Sequence, residues 1–370
     1  MPRVFHYHSS ITDHDAIGFS IVTLHAAMIE AGILSYTVSG ADPAQASPRS
    51  TLTIDGLYEL GPGTDDLILA HYSYADHNIQ RILDAPCRKI LVYHNITPGH
   101  FFRALGRGDL ADGCDAGRAH LAWMRSGFYA AVGDSAYNAQ ELLDNGYASP
   151  SVIPVFYNDR FFADDAALNH RVLERRLDGE ASIAFIGRIV PNKRPDNLIR
   201  ALAILKKMLR RPVRLRWHGK VWDRPYMMSL RRLAEDLGVE HEVSFEINQP
   251  VAALRTSLAA ADAFVSVSEH EGFMVPLLEA FSAGCPVVAL DAAAVGETCG
   301  PAACLVREPD LELIAAHVAH LHNDRDLRLD LTRAQSRRAQ DFSHRRTLRK
   351  WDDLLKDFIP TPLVSHAHRV

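Results

Sequence analysis

Two glutamates, Glu271 and Glu279, are separated by seven residues in the stretch SEHEGFMVPLLEAFSAGCPVV, residues 268–288. Carboxylates at this spacing can accept hydrogen bonds from hydroxyl groups on two sides of a single ligand. Gly272, directly after the first glutamate, lets an anion approach the backbone closely because it has no side chain. The stretch therefore indicates a site for a ligand that carries both hydroxyl groups and an anionic group.

The elements that position these residues are a strand and the helix that follows it. The apolar run DAFVSVS predicts a strand that ends at Ser268. Pro276 suits the first turn of a helix because its missing N–H has no partner to lose there. Gly284 is typical of a helix end, and Pro286 prevents the helix from continuing.

Four backbone amides would lie at the open, electropositive end of this helix: those of Gly272, Phe273, Met274 and Val275. A diphosphate is the ligand that such an end favours. A sugar, two phosphates and a ribose would fit between the two glutamates. Taken singly, however, a glutamate at a helix start commonly serves only to complement the helix dipole.

The whole stretch resembles the signature of the family 4 glycosyltransferases, which have the GT-B fold. Their acidic pair is separated by seven residues, EGFMVPLLE here, and is followed by A-x-x-A-G-x-P-V-V, AFSAGCPVV here. The resemblance implies that Glu271 contacts the transferred sugar and that Glu279 contacts the ribose hydroxyls. It also implies that the amides of Phe273 to Val275 hold the diphosphate, and that transfer retains the configuration of the sugar without a protein base.

A second stretch, FIGRIVPNKRPDNLIRAL, carries two cations at a strand end and the next helix start. Arg188 could hold a diphosphate through its planar fork and Lys193 as a point charge, although basic residues at such junctions are usually only solvated. With Gly187, they resemble the diphosphate clamp of the same family, which implies that they neutralise the leaving group. The segment WHGK, with Gly219, is similar to a glycine turn of that family near the base.

The first half of the chain offers looser signals. Gly18, in SITDHDAIGFS, suits a turn between the first strand and its helix, where backbone could meet a donor or acceptor. The segment KILVYHNITPGHFF places His94 just past a strand and resembles the YHN-x-TP segment of a bacterial polysaccharide-type subgroup. That resemblance implies that His94 lies near the transferred sugar, although a lone histidine is more often structural. Two further matches, DLILAHYSY and GDSAYNAQEL, imply that His71 and Ser135 lie near the same cleft.

Apolar strand patterns alternate with amphipathic helix patterns along the chain, which predicts an α/β fold with parallel sheets. With 370 residues, the chain is long enough for two domains. We expect the GT-B fold, in which two Rossmann-like doubly wound domains face each other across a cleft. The boundaries are an acceptor-binding domain over 1–158, a nucleotide-sugar-binding domain over 159–345, and a C-terminal helix with a tail over 346–370. The linker falls near residues 155–178, and the C-terminal helix is expected to pack back on the first domain.

Composition restricts the classes of partner. The net charge is −5, so nucleic acid is not an expected partner. The chain has no apolar run long enough to span a bilayer and no secretion-signal pattern at its start, which predicts a cytoplasmic protein. Its five cysteines form no CxxC pair and are expected to be reduced.

No metal and no other cofactor is expected. Two Asp-x-Asp triplets occur, Asp13-His14-Asp15 and Asp324-Arg325-Asp326, but the second is remote from every motif. The resemblance also implies a fold that does not generally need a metal. His6 and His8 share one face of a strand, yet two histidines fall short of a zinc set.

The resemblance implies transfer of a hexose from a nucleotide diphosphate sugar to a glycan or lipid-linked acceptor in cell-surface polysaccharide synthesis. The favoured donor carries guanine as its base and mannose as its sugar. A donor with uracil and glucose is the next choice. A peripheral contact with the inner face of the membrane through Phe101, Phe102 and Trp123 stays open, as does the alternative that they are core residues. Two rival functions are a sugar-nucleotide epimerase and a non-catalytic nucleotide-sugar-binding subunit. The sequence does not indicate an oligomeric state.

Overall fold

The structure, a computed structural model, describes residues 2–12, 15–41, 50–158 and 179–364. The chain divides into two compact units, one formed by Met1–Tyr157 with Phe342–Val370 and the other by Asn158–Asp341. The first division lies one residue before the predicted boundary, and the second lies four residues before it. Most of the predicted linker, together with Asp13 and His14, falls outside the described residues.

The first unit contains a seven-stranded parallel sheet. Its strands are β1 (Arg3–His8), β2 (Leu34–Ser39), β3 (Leu52–Thr53), β4 (Leu67–Tyr72), β5 (Arg88–Tyr93), β6 (Ala130–Gly133) and β7 (Ser151–Val152). Its first six helices are α1 (Ala16–Glu30), α2 (Ile54–Glu59), α3 (Ile79–Asp84), α4 (His100–Arg103), α5 (Gly108–Met124) and α6 (Ala136–Asp144). The strands read as nearly continuous apolar runs because helices cover both faces of a parallel sheet.

The strand order of this sheet is β3-β2-β1-β4-β5-β6-β7. The direction of winding reverses between β1 and β4, which pair in parallel with Phe5 opposite Ile68. In doubly wound sheets, ligands bind beyond the carboxyl ends of the strands near such a reversal. His8, His71 and His94 lie at or just past three of these carboxyl ends.

The second unit contains a six-stranded parallel sheet. Its strands are β8 (Ala181–Ile186), β9 (Val213–Gly219), β10 (Val243–Ile247), β11 (Ala263–Ser266), β12 (Val287–Leu290) and β13 (Cys304–Val306). Its helices are α7 (Pro195–Leu209), α8 (Arg224–Asp236), α9 (Val251–Ala260), α10 (Val275–Ser282), α11 (Val295–Cys299), α12 (Leu311–Asn323) and α13 (Arg325–Ala339). A short 3-10 helix, Pro191–Lys193, precedes α7.

The order of the second sheet is β10-β9-β8-β11-β12-β13, so its winding reverses between β8 and β11. These two strands pair directly, with Phe264 opposite Ala184. The loops that leave their carboxyl ends carry the two motifs of the second half of the chain, one with Lys193 and the other with Glu271. The topology therefore brings together residues that are 78 positions apart.

The last helix, α14 (His344–Leu355), packs against the core of the first unit. Its buried residues, Thr347, Leu348, Trp351 and Leu355, recur at intervals of one, three and four and form one face of the helix. Leu348 and Trp351 belong to the same apolar cluster as Val4 of β1 and Val92 of β5. The apolar stripe on α14 is thus buried against the sheet of the first unit.

Within the described part of the chain, no helix is long and apolar enough to cross a bilayer.

Candidate active site

The loop between β11 and α10 positions Glu271 and the amides that follow it. Met274 caps α10 in a left-handed conformation, with φ of 72°, and Pro276 is the second residue of the helix. The Thr298 hydroxyl donates to the Phe273 carbonyl at 2.7 Å, which holds the loop from its other side. Among the residues that the structure describes, none accepts a hydrogen bond from the amides of Met274 and Val275. These amides can therefore donate to an anion at the helix start.

Lys193 and Glu271 form an ion pair, with 2.6 Å between Lys193 Nζ and Glu271 Oε1. Only 12% of the lysine side chain and 11% of the glutamate side chain are exposed. Lys193 ends the 3-10 helix after β8, and its Nζ lies 5.9 Å from the ring centroid of Phe185. The structure thus brings together a cation and a carboxylate that the sequence motifs assigned to neighbouring parts of one ligand.

Two glycines make room for this arrangement. A side chain at Gly187 would begin 3.1 Å from Lys193 Cδ and 2.9 Å from the Phe185 ring. A side chain at Gly219 would begin 1.9 Å from the Gly187 carbonyl oxygen, which is an impossible contact with backbone. Gly219 therefore allows β9 to lie against the Gly187 turn, and Gly187 leaves space for the stem of Lys193.

Arg188, the second expected cation, has an exposed side chain directly after Gly187. It makes no hydrogen bond or ion pair with any residue in the described ranges. An unpaired guanidinium at a strand end can bind two oxygens of a phosphate at once.

Glu279, the fifth residue of α10, is partly buried, and its carboxylate has no hydrogen-bond partner among the residues that the structure describes. Burial raises its pKa to about 7, since desolvation disfavours the charged carboxylate. A partly buried acceptor without a donor is suited to hydroxyl groups of a ligand.

Residues next to the ion pair tie the two loops together. The amide of Glu269 donates to the Asn192 carbonyl at 2.8 Å, and the Asn192 side chain donates to the His270 carbonyl at 3.0 Å. Arg194 forms an ion pair with Glu269. The sequence motifs did not single out Arg194 or Glu269; the signal available was a charged residue within two positions of each expected catalytic residue.

In the first unit, His94 is buried, and both of its ring nitrogens have partners. Its Nε2 lies 2.8 Å from His71 Nδ1, and its Nδ1 lies 2.8 Å from Asp134 Oδ2. Since an ionised carboxylate only accepts, Asp134 selects the His94 tautomer with a proton on Nδ1. The contact between His94 and a sugar expected from sequence therefore requires one of these two hydrogen bonds to break.

Further histidines continue this buried row. The His71 and His94 rings joined by this hydrogen bond are nearly parallel, with 5.1 Å between centroids, and the His6 ring centroid lies 6.0 Å from that of His71. Burial lowers the pKa of His6 to about 3 and lowers that of His71 well below its ordinary value, so both are neutral. Burial also raises the pKa of Asp134. The sequence analysis missed Asp134, an acid that directly follows a strand and could have been found from that position.

In the described ranges, no group of three or more His, Cys, Asp or Glu residues is arranged so that it could hold a metal ion.

The expectation that Gly18 lies in the turn before the first helix is wrong. Gly18 is the third residue of α1, and its amide donates to the Asp15 carboxylate at 2.8 Å, which caps the helix. A side chain at this position would begin 1.5 Å from the Thr12 carbonyl oxygen. Glycine is needed here because the loop after β1 passes directly over the helix. Ser135 is also a cap, since its hydroxyl accepts from the Asn138 amide at 3.1 Å.

The aromatic residues considered for membrane contact differ in exposure. The side chain of Trp123 is 54% exposed. Phe102 is partly buried and packs against the core of the first unit, and Phe101 packs on the His100 ring at 4.2 Å. Arg103, beside them, forms ion pairs with Asp112 and Asp115, which offset its charge.

A protein-family model matches most of the second unit. Residues 169–338 match the family "Glycosyl transferases group 1". This match takes in the loops that carry Lys193, Glu271 and Glu279.

Named relatives of the chain are glycosyltransferases as well. The chain is 29% identical over 226 residues to the GDP-mannose-dependent alpha-(1-6)-phosphatidylinositol monomannoside mannosyltransferase of Mycobacterium tuberculosis, covering 59% of this chain and 55% of that protein. It is 34% identical over 212 residues to the protein of the same name from Mycolicibacterium smegmatis, covering 55% and 51%. It is 39% identical over 119 residues to the D-inositol 3-phosphate glycosyltransferase of Gordonia bronchialis, covering 30% and 26%. The matched region thus spans about half the length of the first two relatives.

Solved structures identify the fold. Sucrose-phosphate synthase from Thermosynechococcus elongatus superposes with a TM-score of 0.75 at 16% identity, covering 96% of this chain and 99% of that one. Anabaena Alr3699/HepE in complex with UDP-glucose superposes with a TM-score of 0.72 at 17% identity, covering 96% and 100%. The predicted α/β class with two Rossmann-like, parallel-sheet domains is confirmed, and the chain has the GT-B fold.

Proposed function

We propose that this protein is a retaining glycosyltransferase that moves a hexose from a nucleotide diphosphate sugar to a hydroxyl group of a glycan or lipid-linked acceptor. The observation that carries the proposal is the Lys193 and Glu271 pair at the start of α10, 2.6 Å apart. The available amides of Met274 and Val275 lie between this pair and the half-buried Glu279. The lysine and the backbone amides can bind the diphosphate of a sugar nucleotide. The two carboxylates can bind its sugar and ribose hydroxyl groups.

In the proposed reaction, the bond between the sugar and the β-phosphate breaks while an acceptor hydroxyl attacks the same face of the sugar. The negative charge that develops on the leaving diphosphate is stabilised by Lys193, Arg188 and the amides at the start of α10. Glu271 accepts hydrogen bonds from sugar hydroxyls, and Glu279 accepts them from the ribose. The departing phosphate takes the proton of the acceptor hydroxyl, so no protein base is required.

The favoured donor is a guanine nucleotide carrying mannose, since the two longest-matching relatives described above are named as GDP-mannose-dependent enzymes. The alternative is a uracil nucleotide carrying glucose with the same chemistry, because Anabaena Alr3699/HepE binds UDP-glucose. The acceptor is proposed to belong to cell-surface polysaccharide synthesis, with the protein at or near the inner face of the membrane. The exposed Trp123 is the residue that favours a peripheral membrane contact.

The proposal is tested first with a thermal-shift panel of GDP, UDP, ADP and dTDP, each without metal and with EDTA. A ligand that binds the folded state raises the melting temperature by mass action. One diphosphate is expected to stabilise the protein, and Glu279→Ala is expected to remove its effect. Turnover of the matching nucleotide sugar with and without an acceptor then separates transfer from epimerisation. Binding without turnover under any acceptor would favour a non-catalytic nucleotide-sugar-binding subunit.

A further inference from the structure

We propose that Arg194 is a positioning residue that holds the Glu271 loop against Lys193 by clamping Glu269. This inference rests on the proposed function, because it concerns the same site. Arg194 follows Lys193 directly, and Glu269 lies two residues before Glu271. Neither residue of the clamp needs to touch the substrate.

The two loops are joined residue by residue. Lys193 pairs with Glu271 at 2.6 Å, and Arg194 pairs with Glu269. Between these pairs, Asn192 accepts from the Glu269 amide at 2.8 Å and donates to the His270 carbonyl at 3.0 Å. A displacement of residues 269–271 would therefore break contacts with all three residues 192–194.

The guanidinium of Arg194 is fixed on more than one side. Its Nε and Nη2 donate to the two oxygens of Asp196 at 3.0 and 2.8 Å, while Nη1 donates to Glu269. The carboxylates of Asp196 and Glu269 raise the pKa of Arg194. Because Asp196 holds two nitrogens of the planar guanidinium, Nη1 is presented to Glu269 in a fixed direction.

The backbone of Arg194 supports the same inference. Its φ of 48° and ψ of 51° lie in the left-handed region, which side chains other than glycine rarely adopt. Such a conformation persists only where the surroundings hold it, and it is common at functional sites. A glycine would adopt it without strain, so Arg194→Gly removes the side chain without straining the backbone.

The chain offers a matched control at the other end of the same helix. Arg210 caps the C-terminus of α7 in a left-handed conformation, with φ of 51° and ψ of 37°. Its side chain is exposed and has no partner in the part of the chain that the structure describes. Substitutions at Arg210 therefore reproduce the backbone effect of substitutions at Arg194 without the clamp.

The test compares Arg194→Gly, Arg194→Ala and Glu269→Ala with Arg210→Gly and Arg210→Ala in the full chain. The first three variants are expected to lower kcat by about 10- to 100-fold, since small misplacements of catalytic groups have effects of that size. The KM for the donor is expected to change less than kcat, because the amides of Met274 and Val275 are held separately through Thr298. Arg194→Lys, which keeps the charge without the fork, should recover part of kcat.

The double variant Arg194→Ala/Glu269→Ala is expected to be no slower than either single variant, since both remove the same contact. Additive losses in the double variant, or a kcat of Arg194→Gly equal to that of Arg210→Gly, would overturn the proposal. If Arg194→Ala fails to fold, Glu269→Gln reports on the same clamp.

Amide hydrogen exchange of the unliganded protein gives a readout that does not depend on the enzymatic activity. Exchange over residues 268–274 is expected to be faster in Arg194→Gly than in Arg210→Gly, because the loop loses one of its attachments. Equal exchange in the two variants would contradict the clamp. A wild-type protein that turns over no nucleotide sugar would refute the proposed function, and the exchange comparison would then decide the clamp alone.

Discussion

Lys193 Nζ lies 2.6 Å from Glu271 Oε1, so two residues expected to act on a ligand neutralise each other in the unliganded protein. Each side chain is mostly buried, and each therefore depends on the other until a ligand arrives. A nucleotide diphosphate sugar would supply new partners to both, with phosphate oxygens for the lysine and hydroxyl groups for the glutamate.

Removal of either member of this pair should abolish most activity. Lys193→Met keeps a stem that packs beside Phe185, and Glu271→Gln keeps the shape of the side chain. Each substitution is expected to lower kcat by about 100- to 1,000-fold, because removing one group that stabilises transition-state charge has an effect of that size. Steady-state kinetics with the matching nucleotide sugar measure the effect, and circular dichroism checks that the fold is intact. A variant with near wild-type turnover would exclude that residue from the reaction.

Glu279 should make stability depend on pH. Burial raises its folded-state pKa to about 7 from an ordinary value of 4.5. Below the lower value the carboxyl is protonated in both states; as pH rises toward the higher value, the unfolded state ionises first and stability falls. Glu279→Gln removes this loss and is expected to melt above the wild type at pH 8, with no such advantage near pH 4.5. A difference in melting temperature that is constant over this range would contradict the assignment.

Asp134 should control the protonation pattern of His94. In the wild type, the Asp134 carboxylate accepts a hydrogen bond from the Nδ1–H of His94 at 2.8 Å. In Asp134→Asn, the amide can donate instead, which moves the His94 proton to Nε2. Nitrogen chemical shifts of the labelled imidazole are expected to exchange between the two positions, and turnover is expected to fall by about 10-fold or more. Unchanged shifts would show that Asp134 does not set the tautomer.

The two glycines of the second unit should differ in what they control. Gly219→Ala places a methyl group 1.9 Å from the Gly187 carbonyl and is expected to lower the melting temperature strongly. Gly187→Ala places one 3.1 Å from Lys193 Cδ, a flexible stem that can shift, and 2.9 Å from the ring of the buried Phe185. It is expected to weaken binding of the nucleoside diphosphate, measured by calorimetry, with a smaller loss of melting temperature. Equal effects of both variants on both measurements would contradict this division.

Trp351 should be a main anchor of α14. Its side chain is buried in the same cluster as Val4 and Val92. Trp351→Ala is expected to reduce the free energy of unfolding of the first unit by about 3–5 kcal/mol. Denaturant unfolding measures the change, with the exposed Arg349→Ala as control. Equal stability of the two variants would mean that the helix is not anchored through this residue.

The parts of the fold that the sequence predicted are those with strong local patterns. The apolar run RVFHYH predicts a strand and has the bounds of β1, and the helix pattern after it predicts residues 17–31, one residue later at each end than α1. β2 was not predicted, although its apolar residues alternate over Leu34–Ser39. The two-residue strands β3 and β7 could not have been predicted from the sequence, because strands so short show no periodic pattern of apolar residues.

The site was predictable where a long motif carried it. Lys193 and Glu271 follow strand ends and Glu279 lies inside the next helix, as the motifs predicted for their positions, while their roles stay predictions. Contacts between distant residues were not predictable, because nothing local in the sequence pairs Arg194 with Glu269 or His94 with His71 and Asp134. Gly18 was misplaced for a related reason: its closest neighbour, the Thr12 carbonyl, lies in a loop whose path no pattern specifies.

The position of α14 has a consequence for how the protein is made. The core of the first unit includes Leu348, Trp351 and Leu363, which are synthesised after the whole of the second unit. The second unit, Asn158–Asp341, is complete in the nascent chain before that helix emerges from the ribosome. The first unit, whose translation begins before that of the second, can therefore finish folding only after the second unit has been fully synthesised.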